Sequence, residues 1–342
     1  MAILSLNGQS KQDFSSVVYD GTQANRAVSI FNSNNININS CVVDGHNLSV
    51  WYVGALCEIQ NASFIRFYNN NFVAGGNSGG GINFEKGCHD CSISGGIISG
   101  QNVYGIQCYG SDISQKCYNL IFSNIQITDC AKDGINIGWW SDNIVVERIL
   151  ARDNVNYGII MDSAVLGCEV RNCICDGNLY NIGCGGGNQG KTRNVNFYHN
   201  TLINGIGFRI NVDSGVENIQ FKNNIVKTSG NNSIDVPAGV TLDYNCYFDT
   251  TGSYSFVYGG VTYHSLYDYQ MATGQDSHSI TVDPNLNADY TLRSDSPCIN
   301  AGADVGVTMD YAGNKRGVPD IGAYEFQRTK INNARLNNCI IR

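Results

Sequence analysis

The chain has 342 residues, 21 basic against 29 acidic, for a formal charge of −8 and a pI near 5.0. That balance argues against a nucleic-acid partner, which needs a basic face. It leaves room for a neutral or cationic ligand, or for an acidic glycan met by a local basic patch. Only 15% of residues are charged, and 39 Gly with 4 Pro suit a chain that turns often without breaking. No window holds a sustained apolar period of 3.6, so little helix is expected. No run of 18 apolar residues exists, so no membrane span is expected.

The start, Met1-Ala2-Ile3-Leu4-Ser5-Leu6, has neither a charged n-region nor a long apolar h-region, so a signal peptide is not expected. That leaves a cytosolic origin, a mature fragment with its leader removed, or part of a particle such as a phage fibre, and the expected location is extracellular or particle-associated. Residues 1–26 read as a first, imperfect turn with short strands at Ile3 to Leu6 and Val17 to Tyr19.

From Ala27 a strand element recurs: Val28-Ser29-Ile30, Leu56-Cys57-Glu58, Ile82-Asn83-Phe84, Ile106-Gln107-Cys108, Ile135-Asn136-Ile137, and on through Ile159, Ile182, Phe208 and Ile234. A Gly usually precedes it (Gly81, Gly105, Gly134, Gly158, Gly207), which points to a tight turn with positive φ. Between these copies runs an octet whose clearest form is Ile219-Gln220-Phe221-Lys222-Asn223-Asn224-Ile225-Val226. It has inward residues two apart, as a strand requires, and then a turn. Copies start at Ile36, Ile65, Cys91, Leu120, Ile144, Cys168, Val195 and Ile219, spaced 29, 26, 29, 24, 24, 27 and 24 residues apart. A short period with slips is what a solenoid produces when loops bulge from single turns. A propeller blade of ~40–45 residues is too long for this spacing, and a six-residue period is absent. The prediction is an all-β parallel β-helix of roughly ten turns over residues 1–248.

The octet's turn positions hold Asn69, Asn124, Asn172, Asn223 and Asn245, with Ser40, Arg148 and His199 as substitutes. Stacked amides there can satisfy turn backbone that faces no water, which makes a structural His199 the stronger expectation. The 14 cysteines follow the same register. Cys91 and Cys168 take the first inward position, Cys41, Cys173 and Cys246 the turn, and Cys108 with Cys184 align in the other strand. They read as small buried apolar residues. Cys88-His89-Asp90-Cys91 is a lone C-x-x-C without a second pair, so no metal is expected there.

Near residue 248 the repeat fades. Residues 249–326 read as a C-terminal cap, with Tyr263 to Gln270 as a short helix or turn. The segment contains Asp283-Pro284-Asn285-Leu286, Asp289-Tyr290-Thr291-Leu292, Ser296-Pro297-Cys298-Ile299-Asn300-Ala301-Gly302 and Asp320-Ile321-Gly322-Ala323-Tyr324-Glu325-Phe326. With the repeats, it resembles bacterial right-handed parallel β-helix proteins of the pectate-lyase-like superfamily. That resemblance implies a right-handed coil and a carbohydrate-directed role. It is poor for reaction, because the superfamily also holds tailspikes, epimerases and adhesins. Residues 327–342 form a tail in which Ala334 to Ile341 repeats the octet, as if another rung began that could dock on a sheet edge or a neighbouring subunit.

Two outward columns carry chemistry. Arg66, Tyr68, Glu147, Glu169, Arg171, Asn196, Tyr198, Gln220 and Lys222 lie outside the octet strands and read first as an ion-pair ladder. The second column holds Asn83, Glu85, Gln107, Tyr109, Asn136, Trp139, Trp140, Asp162, Arg209, Asn211, Asp213 and Asp235. Amides, carboxylates and aromatic rings side by side are what a sugar-binding cleft uses. Trp139 and Trp140 are its most telling members, and Tyr104, Tyr157 and Tyr180 could wall it. The expected substrate-binding set is Trp139, Trp140, Tyr109, Asn136, Glu85 and Asn211. The expected catalytic set is Asp162 with Asp142, Asp133, Asp112 or Glu85 as a second carboxylate for hydrolysis. For β-elimination, Arg209 or Lys132 would serve as base. Calcium would suit elimination, but no compact run of acidic ligands supports it, so no cofactor is expected. The expected function is action on an extracellular polysaccharide as hydrolase or lyase. The alternative is a non-catalytic glycan-binding fibre, adhesin or self-assembling protein.

Overall fold

The computed structural model describes residues 4–20, 27–44, 55–73, 80–185, 190–210, 215–230 and 233–327. The octet-like stretch 334–341 and Asn211 lie outside them.

The chain winds into a right-handed parallel β-helix of about nine turns. Successive turns supply strands to a twelve-stranded sheet that starts at Leu4–Asn7, includes Ala55–Gln60, Gly80–Glu85, Ile106–Tyr109, Ile135–Gly138, Tyr157–Met161, Tyr180–Cys184 and Ile206–Ile210, and ends on the antiparallel Val261–Tyr263. The octet strands form the facing wall. Their middle inward residues stack in register as Phe67, Ile93, Phe122, Val146, Val170, Phe197, Phe221 and Leu242. Ile82, Ile106, Ile135, Ile159, Ile182, Phe208 and Ile234 stack opposite them. All of these are buried, and Phe208 bridges the walls, its ring 4.9 Å from Phe197 and 4.4 Å from Phe221. Burying one such side chain contributes roughly 1.5–3 kcal/mol, and the layout repeats it on every rung.

The glycines before the recurring strand act differently from the expectation. Gly81, Gly105, Gly134, Gly158 and Gly207 are not among the positive-φ residues. Close approach between rungs requires them instead. A Cβ on Gly105 would stand 2.5 Å from Ile127 Cγ2, and one on Gly134 2.6 Å from the Gly158 carbonyl oxygen.

Positive φ belongs to the octet turn. Ser40, Asn69, Asn124, Arg148, Asn172, His199 and Asn223 all have φ between 51 and 58°. Asn tolerates that left-handed conformation better than other non-glycine residues, which explains its recurrence. Asn245 is not a member, because Tyr244 takes the left-handed position with φ 55°. Asn245 belongs to a second, inner column one residue later. There Cys173 N donates to Asn200 Oδ1 at 2.9 Å, Asn200 N to Asn224 Oδ1 at 2.9 Å, and Asn224 N to Asn245 Oδ1 at 2.9 Å. Asn245 Nδ2 ends the ladder on Asp276 Oδ1 at 2.9 Å. A parallel ladder at the other bend runs from Cys130 N to Asn154 Oδ1 at 3.1 Å and from Asn154 N to Asn178 Oδ1 at 3.0 Å.

The 13 cysteines among the described residues are free and buried, with thiols that point at backbone carbonyls such as Glu85 O from Cys88 and His89 O from Cys91. Cys108 and Cys184 share one column, as expected, through Ile137 and Met161. Cys246 sits one position beyond the turn, opposite Ile225. Among the described residues no group of His, Cys, Asp and Glu could hold a metal ion. His199 is fully buried between the Asp320 carbonyl and Asn223 Nδ2, both at 3.0 Å, in a structural role.

The C-terminal segment divides in two. The hairpin Phe256–Tyr258 with Val261–Tyr263 and the helix Leu266–Thr273 close the end of the coil, with Tyr269 stacked on Phe256 at 5.4 Å. Residues 283–326 lie instead along the flank of the octet turns. Asn172 Nδ2 reaches Met309 O at 2.8 Å, Asn223 Nδ2 reaches Ala303 O at 2.8 Å, and Ala323 N reaches Thr201 Oγ1 at 3.0 Å. The buried Arg316 pins this segment through Glu325 at 3.1 Å and Asn172 at 2.9 Å.

Asn224→Ala strands the Asn200 backbone amide inside the coil and removes the donor that Asn224 Nδ2 gives to the carbonyls of Phe197 and Lys222. With ~1–3 kcal/mol for a buried group left unpaired, the variant is expected to lose about 1–3 kcal/mol in urea unfolding. A loss below about 1 kcal/mol would show that the ladder is not a structural element. Asp276 offers a pH test. It is fully buried, and burial pushes its carboxyl up to about 6. A raised folded-state pKa means that its stabilising protonation is complete below the ordinary value of about 3.9 and lost as pH rises through about 6. The stability of wild type relative to Asp276→Asn is therefore expected to rise as pH falls from about 7.5 to about 5. Parallel pH profiles for the two proteins would contradict it.

Candidate functional site

The outer face of the twelve-stranded sheet is where strand register converts sequence into a surface. Its middle column runs Glu58, Asn83, Gln107, Asn136, Ile160, Gly183, Arg209 and Asp235. The column beside it runs Gln60, Glu85, Tyr109 and Gly138. Asp162 follows on the next rung, with its Cβ 3.3 Å from the place a Gly138 Cβ would occupy. The expected members Asn83, Glu85, Gln107, Tyr109, Asn136, Asp162, Arg209 and Asp235 do share this face.

Trp139 and Trp140 turn the chain out of the strand Ile135–Gly138. Both have positive φ, 37° and 61°. Two consecutive bulky residues in that region store strain of about 1–3 kcal/mol each, and such strain concentrates at functional sites. Trp139 is 48% exposed and meets the Tyr109 ring edge-on at 6.1 Å, so it presents a ring to solvent beside the column. Trp140 is half-buried, against Gly110.

Asp162 lies half-buried over the gap left by Gly138, whose missing side chain also faces Asn136 Oδ1. Burial raises its carboxyl pKa, the charge of Asp133 raises it further, and the Ser163 backbone amide and Lys132 oppose the shift. Asp133, only 1% exposed, accepts from Asn136 Nδ2 at 3.0 Å, Asn156 Nδ2 at 2.8 Å and Tyr157 N at 3.0 Å. With both oxygens occupied, it positions and polarises its neighbours and does not reach a ligand. Lys132 donates to Tyr104 OH at 2.8 Å, and that bond raises its pKa, so the ammonium stays charged. The sequence put Asp133 and Lys132 among alternatives; the fold puts them at the centre.

Asp142 goes elsewhere. It lies on Ser141–Glu147, in the octet wall, and is bound to Lys116 at 2.6 Å, so it is not the carboxylate that meets Asp162. Glu85 is three rungs from Asp162, ~14 Å at rung spacing. Arg209 is two rungs on, ~10 Å, and is held by Asp235 at 3.5 Å and by the Tyr180 ring at 4.6 Å. Tyr180 stacks on Tyr157 at 4.8 Å, and a Cβ on Gly183 would hit the Tyr157 ring at 2.3 Å, so that glycine seats the aromatic pair. Glu58 and Gln60 were not foreseen, although Glu58 is the outward residue of the quoted triplet Leu56-Cys57-Glu58. The other outward column is the ion-pair ladder expected, with Arg171 on Glu147 at 2.8 Å and on Glu169 at 2.6 Å.

No protein-family model matches the chain, and no curated protein matches its sequence. The solved structures that match include the following two. Pectate lyase Pel9A aligns over 95% of this chain and 98% of its own, at 11% identity and a TM-score of 0.50. PfbA, a surface adhesin of Streptococcus pneumoniae, aligns over 74% and 69% at 12% identity and a TM-score of 0.39. The first likeness shows the fold, a pectate-lyase-like parallel β-helix. Among the described residues no helix is long and apolar enough to cross a membrane.

Lys132 is exposed, so its removal tests the electrostatics without touching the core. Lys132→Gln removes a charge that lowers the Asp162 pKa. The Asp162 carboxyl midpoint, followed by carbon-detected NMR, is expected to lie above the ordinary ~3.9 in wild type and to move higher in the variant. A midpoint that fell in the variant would reverse the assignment.

Proposed function

We propose that this protein acts on an extracellular polysaccharide bound along the outer face of the twelve-stranded sheet, with Asp162 donating the proton to the departing sugar oxygen. One observation carries the reading. A carboxyl with a raised pKa stands over the gap at Gly138, on the rung next to the strained, half-exposed Trp139. A carboxyl whose pKa is shifted upward is shifted in the direction that general acid catalysis of glycosidic cleavage needs. A half-exposed indole supplies the apolar surface on which sugar rings stack. Elimination has less support, because Lys132 is held charged and Arg209 is bound to Asp235, which leaves neither suited to take a proton.

A second reading, glycan binding without cleavage, has its own observation. The carboxylate nearest in charge to Asp162 is Asp133, whose oxygens are already occupied.

The purified protein should be offered neutral, amino-sugar and uronate polysaccharides, with reducing ends and ultraviolet absorbance of unsaturated products both recorded. Release of reducing ends without the unsaturated product is expected. Asp162→Asn should lower kcat by ~10²–10⁴-fold with binding kept, and Trp139→Ala should weaken binding. Binding without turnover would establish the second reading. Neither binding nor turnover on any polymer would end both.

A further inference from the structure

A groove opens along the twelve-stranded sheet at the end remote from Asp162. Register carries one outward column through Asn7, Phe31, Gln60, Glu85, Tyr109 and Gly138, so the groove and the Asp162 region lie on one line. The residue after each of these strands leaves the sheet in a left-handed turn: Asn32 with φ 49°, Asn61 with 46°, Lys86 with 49° and Trp139 with 37°. Those turns stack, because Asn32 N donates to Gln60 O at 3.1 Å, Lys86 N to Tyr109 O at 3.2 Å and Gly110 N to Trp139 O. The turn column therefore presents amides at one end and the half-exposed indole of Trp139 at the other.

The amide end forms a cavity of about 440 Å³, a size that suits a small ligand. Phe31 is half-buried there between Asn7 and Gln60, and Gln115 borders it from the loop after Gly110. Asn61 Nδ2 donates to Asn32 Oδ1 at 2.7 Å, and Asn32 Nδ2 to Asn7 Oδ1 at 3.0 Å. All three asparagines are exposed. An amide nitrogen carries two N–H groups. Among the described residues the ladder uses one from Asn61, one from Asn32 and none from Asn7, and Asn61 Oδ1 accepts from none of them. The ladder thus holds the amides in place while donors and an acceptor stay open to solvent, which is pre-organisation for a hydroxyl-bearing ligand.

We infer that this groove is a distal subsite that holds a neutral sugar unit of the bound polysaccharide, about five units from the point of cleavage at rung spacing. The inference rests on the polysaccharide reading above and adds the chemistry of that unit and the length of chain the face grips. A sugar hydroxyl both donates and accepts, as do the open amides, and Phe31 offers an apolar ring against which the sugar can pack. No carboxylate lines the groove, and its one charged lining group, Lys86, is exposed. The chain's net charge of −8 works against a polyanion. Five steps of the sheet order separate the strand ending at Phe31 from the strand before Asp162. That is ~24 Å, with one rung about as long as one sugar unit. A chain that touches both Phe31 and Trp139 therefore covers about five units, which a trimer cannot span.

The test is calorimetric binding to wild type of xylohexaose, mannohexaose, cellohexaose and a galacturonate hexamer, each beside its own trimer. At least one neutral hexamer is expected to bind at least ~10-fold more tightly than its trimer and than the galacturonate hexamer. Phe31→Ala and the double variant Asn32→Gly/Asn61→Gly should each remove most of that advantage and leave the trimer's affinity unchanged. Glycine keeps the left-handed turns, and thermal melting checks the folding of both variants. A hexamer advantage that survives in both folded variants overturns the inference and leaves the proposed function standing. So does a galacturonate hexamer that binds more tightly than every neutral one, or equal affinity of each neutral hexamer and its trimer, which needs only wild type. Failure of every probe to bind also overturns the inference, and the wider polymer screen above then decides the proposed function on its own.

Discussion

The structure depends on satisfying backbone polar groups at the inner bends of each turn, where no water reaches. Strands pair with the rungs above and below, but a bend exposes amides and carbonyls to the apolar interior. Side-chain amides solve this by bridging rungs: Asn200, Asn224 and Asn245 each accept from a backbone amide of the preceding turn and donate to a carbonyl. An amide ladder needs one residue at one position in every participating turn. It therefore locks register as well as satisfying hydrogen bonds. Its last member, Asn245, bonds Asp276 just beyond the closing helix, so the same network joins coil and end cap.

Locked register has a consequence for the outer face. Once the inward residues are set, the outward ones follow at a spacing of about 4.8 Å between rungs. Side chains some 25 residues apart in sequence become neighbours, as Gln60 and Glu85 do at 2.9 Å. The polar groups there hold one another: Asn136 on Asp133, Asn83 on Glu85, Lys132 on Tyr104. Such mutual support pre-organises a binding face before any ligand arrives.

Much of this was legible in the sequence because solenoid physics is periodic. The octet places Phe67, Phe122, Phe197 and Phe221 inside, and the fold confirms each. Slips arose where one residue of offset changes the physics. Asn245 looked like a turn asparagine, but the left-handed position belongs to Tyr244. The glycines before the recurring strand looked like φ requirements and are packing requirements. Asp142 stood among the candidate partners of Asp162, and it is two residues from Trp140 in the chain. A sharp turn sends it to the other wall and onto Lys116, and sequence distance carries no information across such a corner. Asp133 was harder to rank. Its role comes from the convergence of Asn136, Asn156 and the Tyr157 amide, which only the folded bend brings together.

A perfectly regular solenoid face would repeat the same chemistry on every rung and distinguish no point along a polymer. The site proposed here lies where regularity fails. At Gly138 the column loses its side chain, at Trp139 and Trp140 the backbone leaves the favoured region, and at Gly183 the Tyr157 ring folds into the vacancy. Each irregularity costs stability locally, by strain or lost packing, and the ladders and the apolar stack on either side bear that cost. Asp162 stands over the first of these breaks, and burial there works against its charge. The same regular core that holds the coil together thus sustains a stretch of surface that departs from it, and that departure singles out a carboxyl whose pKa burial raises.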